Sequence, residues 1–211
     1  MTYEDLANKV SMSVMGLGYP VALQYVASAA QEFFEESEVW RDAKINVDLQ
    51  VNQEYYDINF GENISVVQVR EVYVDGALLS QISNEEYIAE ISKNNSVTAT
   101  NPNRCAFYGA DRIRFLPVCG KKAKLTINCS LKPSLKAKTI PVDLLETYGK
   151  AIISGALRDI FLMKSKPWGD INESRLHDRK FVLGIQKARA TGDKGNTKNN
   201  VMIDLNDLPM G

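Results

Sequence analysis

The residues that could do acid–base or nucleophilic chemistry are few. There is one histidine, His177, and a catalytic role for it needs an orienting carboxylate and a nucleophile beside it. Asp178 is its sequence neighbour, but adjacent residues on a helix do not face each other. The pattern reads as a solvated or edge-packed histidine in the polar part of a helix. The three cysteines, Cys105, Cys119 and Cys129, form no CxxC pair and leave an odd number. That speaks against a disulfide framework or a structural zinc site and for synthesis in a reducing cytosol. Cys119 falls in a turn and reads as a small apolar or semi-exposed thiol. No HExxH, GxxxxGK[ST], GxSxG or EF-hand loop occurs. Gly16-Leu-Gly18 follows a helix and not a strand, so it reads as a helix break and not as a phosphate cradle. Paired carboxylates of the glycosidase kind, drawn from 26 acidic residues, are the one catalytic arrangement that spacing does not address. The expectation is a protein that is not an enzyme and takes no cofactor or metal.

The totals agree with a binding or structural role. A chain of 211 residues with 45% apolar and 24% charged residues has the length and composition of an ordinary globular protein. A net charge of −1 gives no whole-molecule attraction to nucleic acid or anionic lipid. Met1-Thr-Tyr-Glu-Asp5 lacks the basic and apolar regions of a signal peptide, and no apolar run approaches the ~20 residues of a membrane span. Charge is segregated, however. Glu32, Glu35, Glu36, Glu38 and Asp42 form an acidic run, and Lys187, Arg189, Lys194 and Lys198 make the far end basic. Such runs are solvated faces, or they meet between neighbouring copies and fix register. Lys121, Lys122, Lys132, Lys136 and Lys138 lack interleaved aromatics and read as an exposed sheet edge.

The elements that would position these residues are helices at the two ends and strands between them. Tyr3 to Met15 reads as a short helix. Pro20 suits a helix's first turn, and Leu23, Val26, Ala27, Ala30, Phe33 and Phe34 repeat at helical spacing up to about Trp40. From Ala43 the period falls to two, through Ile45, Val47, Leu49 and Val51. Tyr55 to Phe60 and Val66 to Val74 read as further strands, and Asp75-Gly76 predicts a hairpin back through Ala77 to Leu79. Asn84 to Ser92 fits either a helix or a strand. Arg104 to Tyr108, Arg112 to Leu116 and Ala123 to Leu131 complete a mostly antiparallel set, with Gly109 to Asp111 and Pro117 to Gly120 as connections. Helical period resumes after Pro141, placing Leu145, Tyr148, Ile152, Ala156 and Ile160 on one face. After a Lys166-Pro167-Trp168 turn, a second helix from about Asn172, its expected N-cap, to Ala190 carries Phe181, Gly184, Ile185 and Ala188. The small residues Gly155, Ala156, Gly184 and Ala188 would let these two helices approach closely. Beyond Thr191 no packed element is expected, although Val201-Met-Ile203 and Leu205 to Met210 are apolar enough to dock on a partner.

This spacing predicts an α+β fold: a helical bundle from residues 1–44 and 139–195, an inserted antiparallel β-sandwich or barrel-like domain over 45–138, and an extended tail over 196–211.

Several residue groups, in order, resemble one known family. Gln31-Glu-Phe-Phe34 with Ser37-Glu-Val-Trp40 resembles the end of the first long helix of tailed-bacteriophage head-to-tail adaptor (connector) proteins. Val72-Tyr-Val-Asp-Gly76 and Ile113-Arg-Phe-Leu-Pro117 are similar to that family's central strand pair. Ile140-Pro141 through Tyr148 and Ile152 to Leu157 resemble the start of its closing helix. Lys166-Pro-Trp168 and Phe181-x-x-Gly184-Ile185-x-x-Ala188 complete the hairpin. The resemblance spans about residues 20 to 190. It departs at Val118-Cys119, where family members often carry a second proline, and in the tail after Gly195.

The resemblance implies a structural virion protein, made in the bacterial cytoplasm and located at the capsid–tail junction. It implies a homo-oligomeric ring of twelve copies beneath the portal protein, carrying the tail or nozzle protein and passing double-stranded DNA without sequence-specific contacts or a membrane. Such a ring closes through identical heterologous contacts. Interaction residues are then expected at Trp40, Trp168, Arg189 and Lys194, and at Val201, Ile203, Leu205 and Leu208 in a segment that orders on the portal. Competing expectations are a tail-completion or stopper protein, a connector with accessory peptidoglycan-hydrolase activity, and a DNA-end-binding module.

Overall fold

Helix α1 (Tyr3–Ser13) starts at Thr2, where a reciprocal capping box forms. The Asp5 amide donates to the Thr2 hydroxyl at 3.2 Å and the Thr2 amide donates to the Asp5 carboxylate at 2.7 Å, satisfying two orphan donors of the first turn. The computed structural model describes residues 2–58, 61–94, 98–99, 101–108, 112–137 and 139–193. Gly16 turns the chain with φ +83°, and α2 (Tyr19–Ser37) begins with proline in its first turn. The helix ends earlier than its period predicts, because Glu38 adopts the left-handed conformation at φ 50° and its amide closes on the Phe34 carbonyl. Trp40 therefore lies outside the helix, buried edge-on against Phe34 with ring centroids 5.6 Å apart.

Ten strands follow among the described residues, with one helix between them. They are β1 (Arg41–Leu49), β2 (Tyr55–Asp57), β3 (Ile64–Val74), β4 (Ala77–Leu78), β5 (Ser80–Ile82), α3 (Asn84–Asn94), β6 (Thr98–Ala99), β7 (Arg104–Phe107), β8 (Arg112–Leu116), β9 (Val118–Cys119) and β10 (Ala123–Pro133). One sheet has the order β1-β10-β3-β4, a second β2-β8-β7-β5, and β6 pairs with β9. The two four-stranded sheets are antiparallel except that β5 runs parallel to β7; β6 and β9 are also parallel. Register shifts in β1/β10 and β10/β3 raise the local twist and curl the first sheet. The Asp75-Gly76 turn forms as its sequence predicts, with both residues at positive φ, 49° and 80°. Val51 lies in a turn, while Val118-Cys119, expected to be a connection, forms a strand.

Helix α4 (Val142–Phe161) and helix α5 (Ile171–Asp193) return beside each other and beside α1 and α2, and α2 packs on β10. Asp170, not Asn172, caps α5: its carboxylate accepts from the Asn172 and Glu173 amides at 2.8 and 3.3 Å. The helix also continues beyond Ala190. Arg41 donates to the Gly192 carbonyl and, at 2.6 Å, to the Asp193 carboxylate, so a polar stretch that lacks apolar anchors is held by one guanidinium. The buried apolar side chains other than Tyr87 and Ala106 form one cluster running from α1 through both four-stranded sheets to Ala188. The fold is mixed α+β, and none of its described helices is long and apolar enough to cross a membrane. The tail over 196–211 lies outside the described residues.

Candidate functional site

The α4–α5 hairpin is built on absent side chains. A β-carbon on Gly155 would stand 2.7 Å from the Phe181 ring and 3.1 Å from Ala29; one on Gly184 would stand 2.5 Å from the Ala151 β-carbon. Glycine at these positions lets α5 press on α4, and α4 on α2, closer than any side chain would allow. Gly169 has the same role in the turn, where a β-carbon would meet the Met163 carbonyl oxygen at 2.5 Å. Trp168 folds back over Gly16, within 3.8 Å of where its β-carbon would be, and buries its indole N–H without a partner.

One cation joins the three helices. The Arg158 guanidinium donates to both Glu32 oxygens at 2.9 and 2.6 Å and to Asp159 at 2.7 and 3.2 Å. It also stands 3.8 Å from Asp178 and 4.9 Å from the Phe181 ring centroid. Hydrogen bonds that it donates to Glu32 raise its pKa despite burial, with Asp159 adding to the effect. Paired in this way, Arg158 stays charged. Beside it, His177 stacks on Phe161 at 5.7 Å, with its side chain only 15% exposed. Desolvation and the nearby Lys180 hold its pKa below the usual histidine range, against a smaller opposing pull from Glu173. His177 is thus packed at an edge, and its buried Nδ1 has no partner.

The acidic run of α2 is consumed inside the chain. Besides Glu32, Glu35 pairs with Lys132 at 2.8 Å, Glu36 lies 3.8 Å from Arg189, and Glu38 pairs with Arg70 at 2.6 Å. Glu35 and Glu36 stay 52% and 59% exposed in these pairs. Arg189 also donates to the Glu36 carbonyl, a favourable place for a cation at a helix C-terminus. Of the expected interaction residues, Trp40 and Trp168 pack against this chain's own core and Arg189 is held by α2. Lys194, Val201, Ile203, Leu205 and Leu208 lie outside the described residues.

All three cysteines are free and buried. Burial pushes the Cys105 and Cys129 thiols up to about 12, so neither supplies thiolate at neutral pH. Cys119 donates to the Lys121 carbonyl at 3.0 Å. Among the described residues no cluster of three or more His, Cys, Asp or Glu is placed to hold a metal ion. A groove of about 590 Å³ on the first sheet is lined by Arg41, Asp42, Arg70, Glu71, Asn128 and Cys129. Its charges are engaged: Arg70 donates to Ser130 at 2.7 Å and to Glu38 at 2.6 Å, and Asn128 to Glu71 at 2.7 Å.

Sequence reasoning missed a second cationic centre. Arg114, 6% exposed, lies 4.1 Å from the Tyr87 ring centroid, with Tyr108 at 5.5 Å and Tyr55 at 5.6 Å. It donates to the Asn84 side chain and, at 3.3 Å, to the Tyr55 hydroxyl. An arginine between buried Ile113 and Phe115 in an apolar strand was its only sequence signal.

No family model and no curated protein matches the chain. What the molecule offers is packing surfaces and grooves, with Arg158 and the hairpin glycines as their fixed frame.

Proposed function

We propose that the protein is a structural virion component, a head-to-tail adaptor whose copies form a ring beneath the portal, extend the DNA channel and carry the tail or nozzle. The observation that carries this reading is the ordered set of residue groups from Gln31 to Ala188. Phe33, Phe34, Trp40, Tyr148 and Phe181, which belong to four of those stretches, meet in one core. The finer architecture that goes with it is a helical bundle of the terminal segments with an inserted sandwich or barrel-like β domain. Surface chemistry gives further support. Met12 is 87% exposed, Met15 97% and Leu162 47%, and uncovered apolar side chains favour contact with another chain.

The test is to mix the purified chain with its cognate portal protein and image the product by negative stain. A closed ring seated on the portal is expected. A monomer that never joins the portal overturns the reading. Peptidoglycan hydrolysis by the purified chain would move it to a connector with enzymatic activity.

A further inference from the structure

Three lysines line one groove. A groove of about 480 Å³ between α4 and α5 is lined by Lys150, Lys180, Lys187, Tyr148 and Leu183, above the Ala151–Gly184 contact that brings the helices together. Lys180 and Lys187 form no ion pair with a described carboxylate, and on their own helix Asp178 and Glu173 face Arg158 and His177. The α2 acids cannot answer them, since Glu32, Glu35, Glu36 and Glu38 hold Arg158, Lys132, Arg189 and Arg70. Like charges around one groove repel, and a carboxylate entering it relieves that repulsion.

The groove's apolar surface narrows the choice of occupant. Leu183, on its lining, is 54% exposed. Phosphate backbone would use the lysines but gain little from aliphatic groups, and the Tyr148 ring is already packed on Phe33 at 5.3 Å. The complement is a peptide that is acidic and aliphatic together. This chain contains one: residues 201–208, Val-Met-Ile-Asp-Leu-Asn-Asp-Leu, hold Asp204 and Asp207 among Val201, Ile203, Leu205 and Leu208, with no lysine or arginine. The reach is sufficient. From Asp193 back along α5, Lys187 lies about 9 Å away and Lys180 about 20 Å, whereas the seven residues 194–200 span up to about 24 Å when extended.

We propose that residues 201–208 dock in cis into the lysine-lined groove between α4 and α5, with Asp204 and Asp207 on the lysines and the aliphatic side chains beside Leu183. Tethering raises the local concentration of the segment to about the millimolar range, which favours the same chain over a second copy. This inference does not depend on the adaptor reading.

The test uses the full chain, as an equal mixture of unlabelled and isotope-labelled copies, treated with a zero-length carbodiimide cross-linker and read by peptide mass. Expected are links from Asp204 or Asp207 to Lys150, Lys180 or Lys187 within peptides of a single isotope. Lys180→Glu with Lys187→Glu lowers the yield of the links to Lys150, which keeps its amine, at least about tenfold, the size of effect that roughly 1.4 kcal/mol produces. Adding Asp204→Lys and Asp207→Lys restores linkage between the same positions with the polarity reversed. Asp204→Asn with Asp207→Asn removes the carboxylates that the carbodiimide activates and serves as the blank. Predominantly mixed-isotope links overturn the proposal in favour of a second copy. Absence of links, together with salt-sensitive DNA binding that the lysine reversals abolish, overturns it in favour of nucleic acid; absence of links alone also overturns it. A chain that shows the intrachain links yet never joins a portal ring keeps this inference and loses the adaptor reading.

Discussion

Arg158 in the helices and Arg114 in the second sheet are both largely withdrawn from water, yet they are stabilised in different ways. Arg158 has carboxylates on three helices, with Glu32 and Asp159 in direct hydrogen bonds and Asp178 at 3.8 Å. Arg114 has no carboxylate partner in an ion pair among the described residues; it rests on three tyrosine rings and leaves its Nε and the Tyr87 hydroxyl buried without partners. The helical region also closes at glycine contacts under 3 Å for an added β-carbon, where the second sheet has large aromatic side chains filling space. A paired charge with close backbone packing defines one geometry, because any displacement breaks several contacts together. A cation on ring faces tolerates small shifts, since the attraction is broad and weakly directional. The helical region should therefore be the more sensitive of the two to substitution.

The largest effect is expected from Gly155→Val. Its branched side chain must displace the Phe181 ring or Ala29, lowering stability by about 3 kcal/mol in urea unfolding; a loss below about 1 kcal/mol would mean that the hairpin is not tightly packed. Arg158→Met comes next, because it leaves Glu32 and Asp159 without their cation. Glu32 is 41% exposed, so the penalty is discounted from the fully buried case to about 2 kcal/mol. Arg114→Met removes a charge that has no carboxylate to strand, and a loss of only about 1 kcal/mol is expected by the same measurement. If Arg114→Met proves costlier than Arg158→Met, the contrast is wrong. Tyr87→Phe deletes a hydroxyl that is buried without a partner and should be neutral or stabilising by about 0.5 kcal/mol.

The smallest effect is a pH dependence in the helical region. His177 has a folded pKa below its usual 6.5, so between the two values the unfolded chain binds more protons than the folded one. Its contribution to stability is level above pH 6.5, declines as pH falls below that value, and levels again below the folded pKa. The single histidine makes a proton NMR titration unambiguous, with a midpoint expected below 6.5. A midpoint at or above that value would show that desolvation against Phe161 does not control the ring.

Much of this frame was legible before folding was considered. The 3.6-residue repeat through Val26, Ala30, Phe33 and Phe34 marks α2, and Asp75-Gly76 marks the β3–β4 hairpin, since both features depend on local geometry alone. The small residues at 155 and 184 forecast close helices, although not their neighbours Phe181 and Ala151. The α5 start was misplaced by two residues because Asp170 and Asn172 are both good caps and only the direction of the incoming turn selects between them. The parallel pairs β5–β7 and β6–β9 join segments whose short strands carry too little period to reveal a partner.

Charge shows the division most clearly. The sequence alone determined that acids gather near residue 35 and that bases gather near the end of α5, because composition along the chain is a local property. Only the tertiary structure decided that Glu32, Glu35, Glu36 and Glu38 are engaged within the chain while Lys150, Lys180 and Lys187 share an open groove. Ion pairs form over a few ångströms of space, and the separations that set them, 126 residues between Glu32 and Arg158, are fixed by how helices pack and not by how residues are spaced.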